Sequence, residues 1–148
     1  MQSTAFTLKH LSGKDRLMSK LWIDLPALGD ERGNLSVAEV GGHVPFEIKR
    51  VYWIYGTSPD VTRGLHAHRE LQQLAIAVSG SCKMLLDDGT SRASYSLDNP
   101  TRGLFIESGM WHEMTEFTEN CVLLVIASQV YDEADYIRDY EEFLRFRK

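Results

Sequence analysis

Short stretches in which apolar and polar side chains alternate recur along most of the chain, and Gly, Pro, Asn and Asp separate them. An alternation with a period of two is typical of a β-strand with one buried face. Many short strands joined by turns indicate an all-β protein, an antiparallel sandwich or barrel. We predict strands over residues 21–25, 34–40, 48–55, 73–78, 81–86, 91–97, 103–107 and 121–127.

Two segments carry more specific local signals. The sequence Asp-Asp-Gly-Thr at 87–90 lies between two alternating stretches, and Asp-Gly in that position favours a β-hairpin. The pattern changes at the C-terminus, where Tyr136, Tyr140 and Leu144 recur every four residues among acids. This spacing predicts a short amphipathic helix that starts near Asp132 and packs on the barrel.

Length and composition are those of one domain. The chain has 148 residues, of which 43% are hydrophobic and 10% aromatic, enough to form a packed core. Residues 1–20 are polar, and we expect a flexible N-terminal extension there. Residues 21–148 are expected to form the single folded domain.

Charge and hydropathy exclude two classes of partner. The net charge is −5, and no segment gathers lysines and arginines as a nucleic-acid-binding surface does. The longest apolar run, Val122 to Ala127, is too short to span a bilayer, and the N-terminus lacks the apolar core of a signal peptide. We therefore expect a cytoplasmic protein that binds neither nucleic acid nor membrane.

The stretch 50–80 carries the main candidate for chemistry, His66 and His68. Histidines at i and i+2 of a strand point to the same face, so they can address one ligand. In a metal-binding cupin, a jelly-roll β-barrel, such a pair is followed by a Glu and a Gly, and a second motif adds another His. Here Gln73 stands where the Glu falls, Gly80 follows, and residues 103–112 have the spacing of the second motif, which ends at His112. The chain resembles a cupin with three of four ligand positions intact.

The missing carboxylate favours a site that works without metal. An amide is a poorer ligand than a carboxylate for a hard divalent cation, although three imidazoles alone can hold zinc. We expect no metal and no cofactor. Free imidazole has a pKa of about 6.5, so it can take up and return a proton near neutral pH.

Longer matches identify the chain as a member of a known family. Residues 22–143 resemble the TDP-4-keto-6-deoxyglucose 3,4-ketoisomerases, which are cupin-fold enzymes. These enzymes make precursors of 3-amino-3,6-dideoxyhexoses for bacterial surface polysaccharides such as lipopolysaccharide O-antigens and S-layer glycans. The matching stretches are Pro45–Tyr52, Arg63–His68, Ser79–Cys82, Leu86–Gly89, Trp111–Met114, Cys121–Val125, Tyr131–Glu133 and Asp135–Arg138.

The resemblance implies a proton shift within an α-hydroxy ketone. A proton leaves C3, an enediol forms, and a proton returns at C4 while the carbonyl moves to C3. The resemblance and the strand geometry together assign His66 as the base for the carbon-bound proton. His68 would bind the sugar oxygens or relay their protons, and Tyr52 is a candidate proton carrier for the same oxygens, because a phenol can donate or accept.

A nucleotide diphosphate requires cations, and Arg63 and Arg32 are the first candidates, since a guanidinium can engage oxyanions in bidentate fashion. Arg50, Arg138 and Arg102 compete for this role.

Two positions bear on the stereochemistry at C4. In the family, members that form the galacto-configured product resemble this chain in carrying Arg before the Gly of the early turn and Trp-His-Glu-Met later. The gluco branch tends to have Tyr and Trp-Arg-Glu-Met there. Arg32 and His112 therefore suggest the galacto product, with His112 among the substrate-binding residues.

The family also implies a homodimer, and we expect the strand at Trp22 to Leu25 to be an edge that a partner subunit covers. Three alternatives remain open. The first is a metal-dependent cupin such as a dioxygenase, with His66, His68 and His112 as ligands. The second is a sugar-binding cupin without activity, and the third is a 3,5-epimerase.

Overall fold

Two five-stranded antiparallel sheets and a separate hairpin form the chain in the computed structural model, which describes residues 21–148. Sheet A consists of β1 (Trp22–Asp24), β4 (Arg50–Tyr55), β6 (Gln73–Ser79), β9 (Arg102–Ile106) and β11 (Val122–Ala127), in the order β1-β9-β6-β11-β4. Sheet B consists of β5 (Arg63–His68), β7 (Cys82–Asp87), β8 (Arg92–Leu97), β10 (Trp111–Thr115) and β12 (Tyr136–Ile137), in the order β12-β5-β10-β7-β8. The hairpin pairs β2 (Ala27–Asp30) with β3 (Gly33–Ser36).

The two sheets pack face to face, which confirms the predicted antiparallel β architecture. Consecutive strands alternate between the sheets, as β4, β5 and β6 do, so most sheet neighbours are distant in sequence. The Asp-Gly hairpin is also confirmed, because β7 and β8 pair along their whole length from Cys82↔Leu97 to Asp87↔Arg92.

The main core fills the space between the sheets. Met84 and Leu86 from β7 meet Leu104 from β9 and Leu123 from β11, and all four side chains are almost inaccessible to solvent. Each fully buried side chain of this size stabilises the fold by roughly 1.5–3 kcal/mol. Tyr52 packs against the edge of this core, where the interior opens into a cavity.

The predicted short C-terminal helix is confirmed, but it starts later than expected. The helix α1 spans Tyr140–Phe146 rather than starting near Asp132, and Asp139 caps it by accepting a hydrogen bond from the Glu142 amide. The preceding residues form a 3₁₀ turn, Glu133–Asp135, and then strand β12. Strand pairing overrides the four-residue spacing there, because Tyr136 and Ile137 pair with β5.

Helix α1 covers the outer face of sheet B. Phe143 is fully buried against Trp111 and Ile137, and this small cluster fixes the C-terminal segment beside β5 and β10. The segment that carries β12 is therefore held in two ways, because β12 pairs with β5 and helix α1 packs against the outer face of sheet B.

Three further differences concern the strands. β10 was not predicted as a strand, and neither was β2. β3 ends at Ser36, short of the predicted end at residue 40. The prediction of a flexible extension over residues 1–20 falls outside the described residues. Within residues 21–148 no helix is long and apolar enough to cross a membrane.

Candidate active site

Three histidines meet inside the sandwich, at one end of sheet B. His66 and His68 lie on one face of β5, as the i and i+2 spacing predicts, and His112 on β10 is paired directly with His66. Ring centroids are 4.4 Å apart for His66 and His112, 4.9 Å for His66 and His68, and 5.9 Å for His68 and His112. One nitrogen from each ring lies within 4.8 Å of the others. His68 and His112 are almost fully buried.

An irregular backbone directs His66 into this cluster. Gly64 has φ +84° and Leu65 has φ +58°, so two consecutive residues adopt the left-handed conformation just before His66. The β5–β10 register shifts at the same place, between His112 and Glu113. A Cβ on Gly64 would lie 2.8 Å from the His112 carbonyl oxygen, so only glycine fits. This bulge re-aims the His66 side chain, as bulges near active sites often do.

Each imidazole has an acceptor next to its Nδ1 atom. His66 Nδ1 lies 2.9 Å from the Gly64 carbonyl oxygen, His112 Nδ1 lies 3.4 Å from the Met110 carbonyl oxygen, and His68 Nδ1 lies 3.1 Å from Asp135 Oδ2. Carbonyl and carboxylate oxygens only accept, so Nδ1 must donate in each case. The neutral rings therefore keep the lone pair on Nε2, the atom available to a substrate.

Burial keeps these rings neutral. Desolvation is the largest cause of the shift at all three, and it lowers the pKa of His66, lowers that of His68 to about 4, and lowers that of His112 well below its ordinary value. The negative charge of Asp135 opposes the shift at His68, and His66 adds to it. At neutral pH the cluster is a set of uncharged bases.

Tyr52 on β4 supplies an acid from the opposite sheet. Burial raises the pKa of its phenol to about 12, so the hydroxyl is protonated at neutral pH. Gln73 is buried, and its Nε2 donates a hydrogen bond of 2.7 Å to the Tyr52 oxygen. Because Gln73 occupies an acceptor position of the phenol, the phenolic hydrogen remains free to point elsewhere.

A cavity of about 460 Å³ connects these groups to solvent. Arg50 and Arg63 line it, and within residues 21–148 neither forms a salt bridge with a carboxylate. Arg50 Nε is buried without a hydrogen-bond partner, and its guanidinium lies 5.2 Å from the Tyr52 ring centroid. Arg138 also lines the cavity, but it is paired with Glu133 at 2.8 Å.

The structure thus brings together seven of the eight candidate site residues named from the sequence. Arg32 is the exception, because it lies exposed on the β2–β3 hairpin, paired with Asp30 and lining a different groove. Arg102, the other competing arginine, lies outside the cavity, stacks on Trp22 and is 3.7 Å from Asp24. Neither residue touches the histidine cavity of its own chain.

Sequence reasoning missed two residues of the site, Asp135 and Tyr136. The Tyr136 ring lies 4.9 Å from that of His66 and 4.4 Å from that of His68, so it covers both rings from β12. Arg138 stacks on its other side, 4.3 Å from the ring centroid. Both residues lie in the stretch 135–138, which matches the family, and this could have indicated them. The four-residue spacing of apolar residues instead assigned that stretch to a helix.

A larger groove, of about 640 Å³, lies on the far side of Asp135, beside Arg69 and Asp132. None of the histidines within residues 21–148 lines it, so size alone does not locate the chemistry.

The histidine cluster has a donor set that fits a metal only in part. Three imidazole nitrogens suit zinc. Gln73, which replaces the carboxylate of metal-binding cupins, has its amide bound to Tyr52. A metal here would be held by His66, His68 and His112 alone, and would act on a bound oxygen as a Lewis acid.

Comparisons with known proteins agree with this geometry. A family model described as FdtA: WxcM-like, C-terminal matches residues 18–148. A TDP-4-oxo-6-deoxy-alpha-D-glucose-3,4-oxoisomerase from Aneurinibacillus thermoaerophilus is 43% identical over 124 residues, which is 84% of this chain and 89% of the relative.

Two solved structures have the same fold. A 3,4-ketoisomerase from Helicobacter canadensis has a TM-score of 0.83 and 48% identity, covering 85% of this chain and 95% of its own. A variant of the 3,4-ketoisomerase QdtA from Thermoanaerobacterium thermosaccharolyticum, in complex with TDP-4-keto-6-deoxyglucose, has a TM-score of 0.82 and 41% identity, covering 84% and 90%.

Fold and site together define a cupin-like β-sandwich with buried, neutral acid and base groups in one cavity. The chain belongs to the FdtA family, and its close relatives are isomerases.

Proposed function

We propose that this chain is a TDP-sugar 3,4-ketoisomerase that converts TDP-4-keto-6-deoxyglucose into the 3-keto isomer. The observation that carries the proposal is the cluster of His66, His68 and His112, of which His66 and His112 line one cavity together with Tyr52. The activities of its relatives indicate the substrate class.

The first step is removal of the C3 proton by His66 Nε2. His66 lines the cavity together with His112 and is the least buried of the three imidazoles, so it is the one best exposed to a carbon of the sugar. The electron pair of the C3–H bond forms the C3–C4 double bond, and the carbonyl electrons move to O4. Tyr52, a protonated phenol, donates to O4 and stabilises the developing charge.

The second step moves the carbonyl. His68 accepts the O3 proton, the C3–O3 bond becomes a carbonyl, and C4 takes up a proton from protonated His66. The hydroxyl proton on O4 comes from Tyr52, which His68 reprotonates, so no proton is gained or lost overall. A positioned acid–base group typically contributes about 10²- to 10⁴-fold to such a rate.

The diphosphate is bound at the cavity rim. Arg63 and Arg50 carry guanidinium groups without carboxylate partners within residues 21–148, so both can pair with phosphate oxygens. Arg138 has to share its charge with Glu133. Arg32 stays a prediction.

The reaction is proposed to need no metal. A fourth protein ligand is missing where Gln73 replaces the Glu, and Gln73 is used to orient Tyr52. The rival, a metal-dependent cupin, predicts stoichiometric metal in purified protein and loss of activity after treatment with a chelator. Full activity in metal-free enzyme would exclude that rival.

The product is proposed to be galacto-configured at C4. Of the two residues that suggested this configuration, His112 lies at the cavity, 4.4 Å from the His66 ring, and Arg32 does not. The proposal therefore depends mainly on His112. A 3-keto sugar is the substrate that an aminotransferase needs to make a 3-amino sugar, so we propose that the enzyme serves deoxyaminosugar biosynthesis, and that it does so in the cytoplasm.

The working form is proposed to be a homodimer. β1 is an edge strand of sheet A, as expected, and β4, the other edge, exposes the side chains of Val51, Trp53 and Tyr55. Such a row of apolar side chains on an edge strand favours coverage by a second subunit. Size-exclusion chromatography with light scattering that gave the mass of a monomer would contradict it.

One experiment tests the function. The protein is incubated with TDP-4-keto-6-deoxyglucose in deuterated buffer, and the sugar is followed by NMR. The expected result is isomerisation with deuterium at C3 of the recovered substrate and at C4 of the product but not at C5, and the C4 configuration of the product tests the stereochemical proposal. Exchange at C5 would indicate a 3,5-epimerase, and an unchanged sugar would indicate a binding protein.

A further inference from the structure

Asp135 contacts the histidine cluster at His68 and does not line the cavity. Its Oδ2 atom lies 3.1 Å from His68 Nδ1, and the carboxyl group is buried, 8% exposed. The residue is 67 positions from His68 in sequence, and the C-terminal segment brings it there through the 3₁₀ turn before β12.

The carboxylate is held rigidly. Oδ1 accepts a hydrogen bond of 2.8 Å from the Glu70 amide, and Oδ2 accepts one of 3.3 Å from the Leu71 amide. The Asp135 carbonyl oxygen accepts a further bond of 2.9 Å from the Arg69 amide. Three backbone contacts therefore fix Asp135 against the turn that directly follows His68.

The partner of His68 differs in charge from the partners of the other two rings. His66 and His112 donate to neutral backbone carbonyls, of Gly64 and Met110, whereas His68 donates to a carboxylate. A carbonyl orients an imidazole, but a carboxylate also stabilises the imidazolium that forms when the ring accepts a proton. Among the three rings, only His68 has such a partner within residues 21–148.

We propose that Asp135 is a positioning residue that makes His68, rather than His66, the ring that carries a proton between the two sugar oxygens. This inference rests on the proposed isomerase function. Asp135 fixes the His68 tautomer with Nδ1 protonated and balances the positive charge while the ring holds the O3 proton. His66, with a neutral partner, is left for the carbon-bound proton.

The test compares two rates in Asp135→Asn, with TDP-4-keto-6-deoxyglucose in deuterated buffer. Exchange at C3 requires His66, whereas isomerisation also requires transfer between the oxygens. Isomerisation is expected to fall by about 100-fold, a typical contribution of one acid–base group, and C3 exchange by less than about fivefold. The ratio of exchange to isomerisation therefore rises by more than about tenfold.

Asp87→Asn is the matched control. Asp87 is also a buried carboxylate that accepts from a backbone amide, that of Gly89, but its other partners are Arg92 and Tyr140 and no imidazole. A loss of folded protein lowers the rates of C3 exchange and isomerisation equally. Asp87→Asn should therefore keep the wild-type ratio of exchange to isomerisation. If the ratio of C3 exchange to isomerisation in Asp135→Asn equals that of the wild type, the inference is overturned. A wild-type protein without activity would overturn the proposed function itself.

A second measurement needs no variant. The ¹⁵N NMR shifts of the His68 ring in the wild-type protein at pH 7 should show a protonated Nδ1 and an unprotonated Nε2. A protonated Nε2 on His68 would overturn the inference even if Asp135→Asn did not fold.

Discussion

Sheets B and A form two walls of the cavity, one with neutral bases and the other with a neutral acid. Burial produces both. Sheet B presents imidazoles whose pKa values burial lowers, and sheet A presents Tyr52, whose pKa burial raises to about 12. Desolvation always disfavours the charged form, so it makes a base easier to keep neutral and an acid harder to ionise. One poorly solvated cavity therefore holds neutral bases facing a neutral acid at pH 7.

The hydrogen-bond partners on the two walls are also of opposite kinds. Each imidazole has an acceptor on Nδ1, which leaves a lone pair for the substrate, whereas Tyr52 has a donor, Gln73, which leaves its hydrogen for the substrate. The lesson is that the role of each group is set by its partner as much as by its residue type. The following predictions test this, in order of decreasing effect.

His66→Asn removes the base from sheet B and keeps a side chain of similar polarity. The rate of isomerisation and the C3 exchange are both expected to fall by about 10²- to 10⁴-fold, because no other imidazole lines the cavity at that position. Single-turnover NMR in deuterated buffer measures both. Turnover at the wild-type rate would dismiss His66 as the base.

Gln73→Glu reverses the partner of Tyr52 on sheet A. A carboxylate accepts the phenolic hydrogen, so Tyr52 no longer donates to the substrate, and kcat is expected to fall by about 100-fold, as in Tyr52→Phe. The change also restores the carboxylate of a metal-binding cupin. A Gln73→Glu protein that gained activity with added divalent metal would favour the metal-dependent alternative instead.

Arg63→Ala removes a cation at the rim without touching either wall. We expect KM to rise by about 10- to 100-fold with kcat nearly unchanged, since a charge-assisted hydrogen bond to the diphosphate is lost. Arg102→Ala is the control, because Arg102 is a partly exposed arginine outside the cavity. A KM for Arg63→Ala equal to that of the control would remove Arg63 from the binding site.

The pH dependence should show the smallest effect. The lowered pKa of His66 means that the base stays neutral below pH 6.5, so the acid limb of kcat/KM is expected to have its midpoint below that value. The kinetic pH profile measures it.

The burial of the histidines also lowers the stability of the folded protein in acid. The unfolded chain binds protons at a pKa of about 6.5, and folded His68 does so only near 4, so the free energy of unfolding falls as pH falls through this window. Chemical denaturation between pH 7 and 4 measures it, and a flat curve would contradict buried neutral histidines.

Parts of the site could be read from local sequence. The spacing of His66 and His68 places both rings on one face whatever the rest of the fold, since strand geometry fixes it. The replacement of Glu by Gln73 was also visible. The missed residues lie where local and long-range preferences conflict. Tyr136 fits a helical spacing with Tyr140 and Leu144, but pairing with β5 satisfies its backbone and stacks its ring on two imidazoles.

The sequence by itself determined the β-rich class, the hairpin at Asp87 to Thr90 and the two histidines of β5, because each depends on neighbours within a few residues. Only the tertiary structure decided the long-range contacts of the site. His68 meets Asp135 across 67 residues, Tyr52 on β4 meets Gln73 on β6 across the intervening strand β11, and Arg32 lies on a hairpin away from the cavity. Contacts of this range depend on packing of the whole chain, which no local pattern encodes.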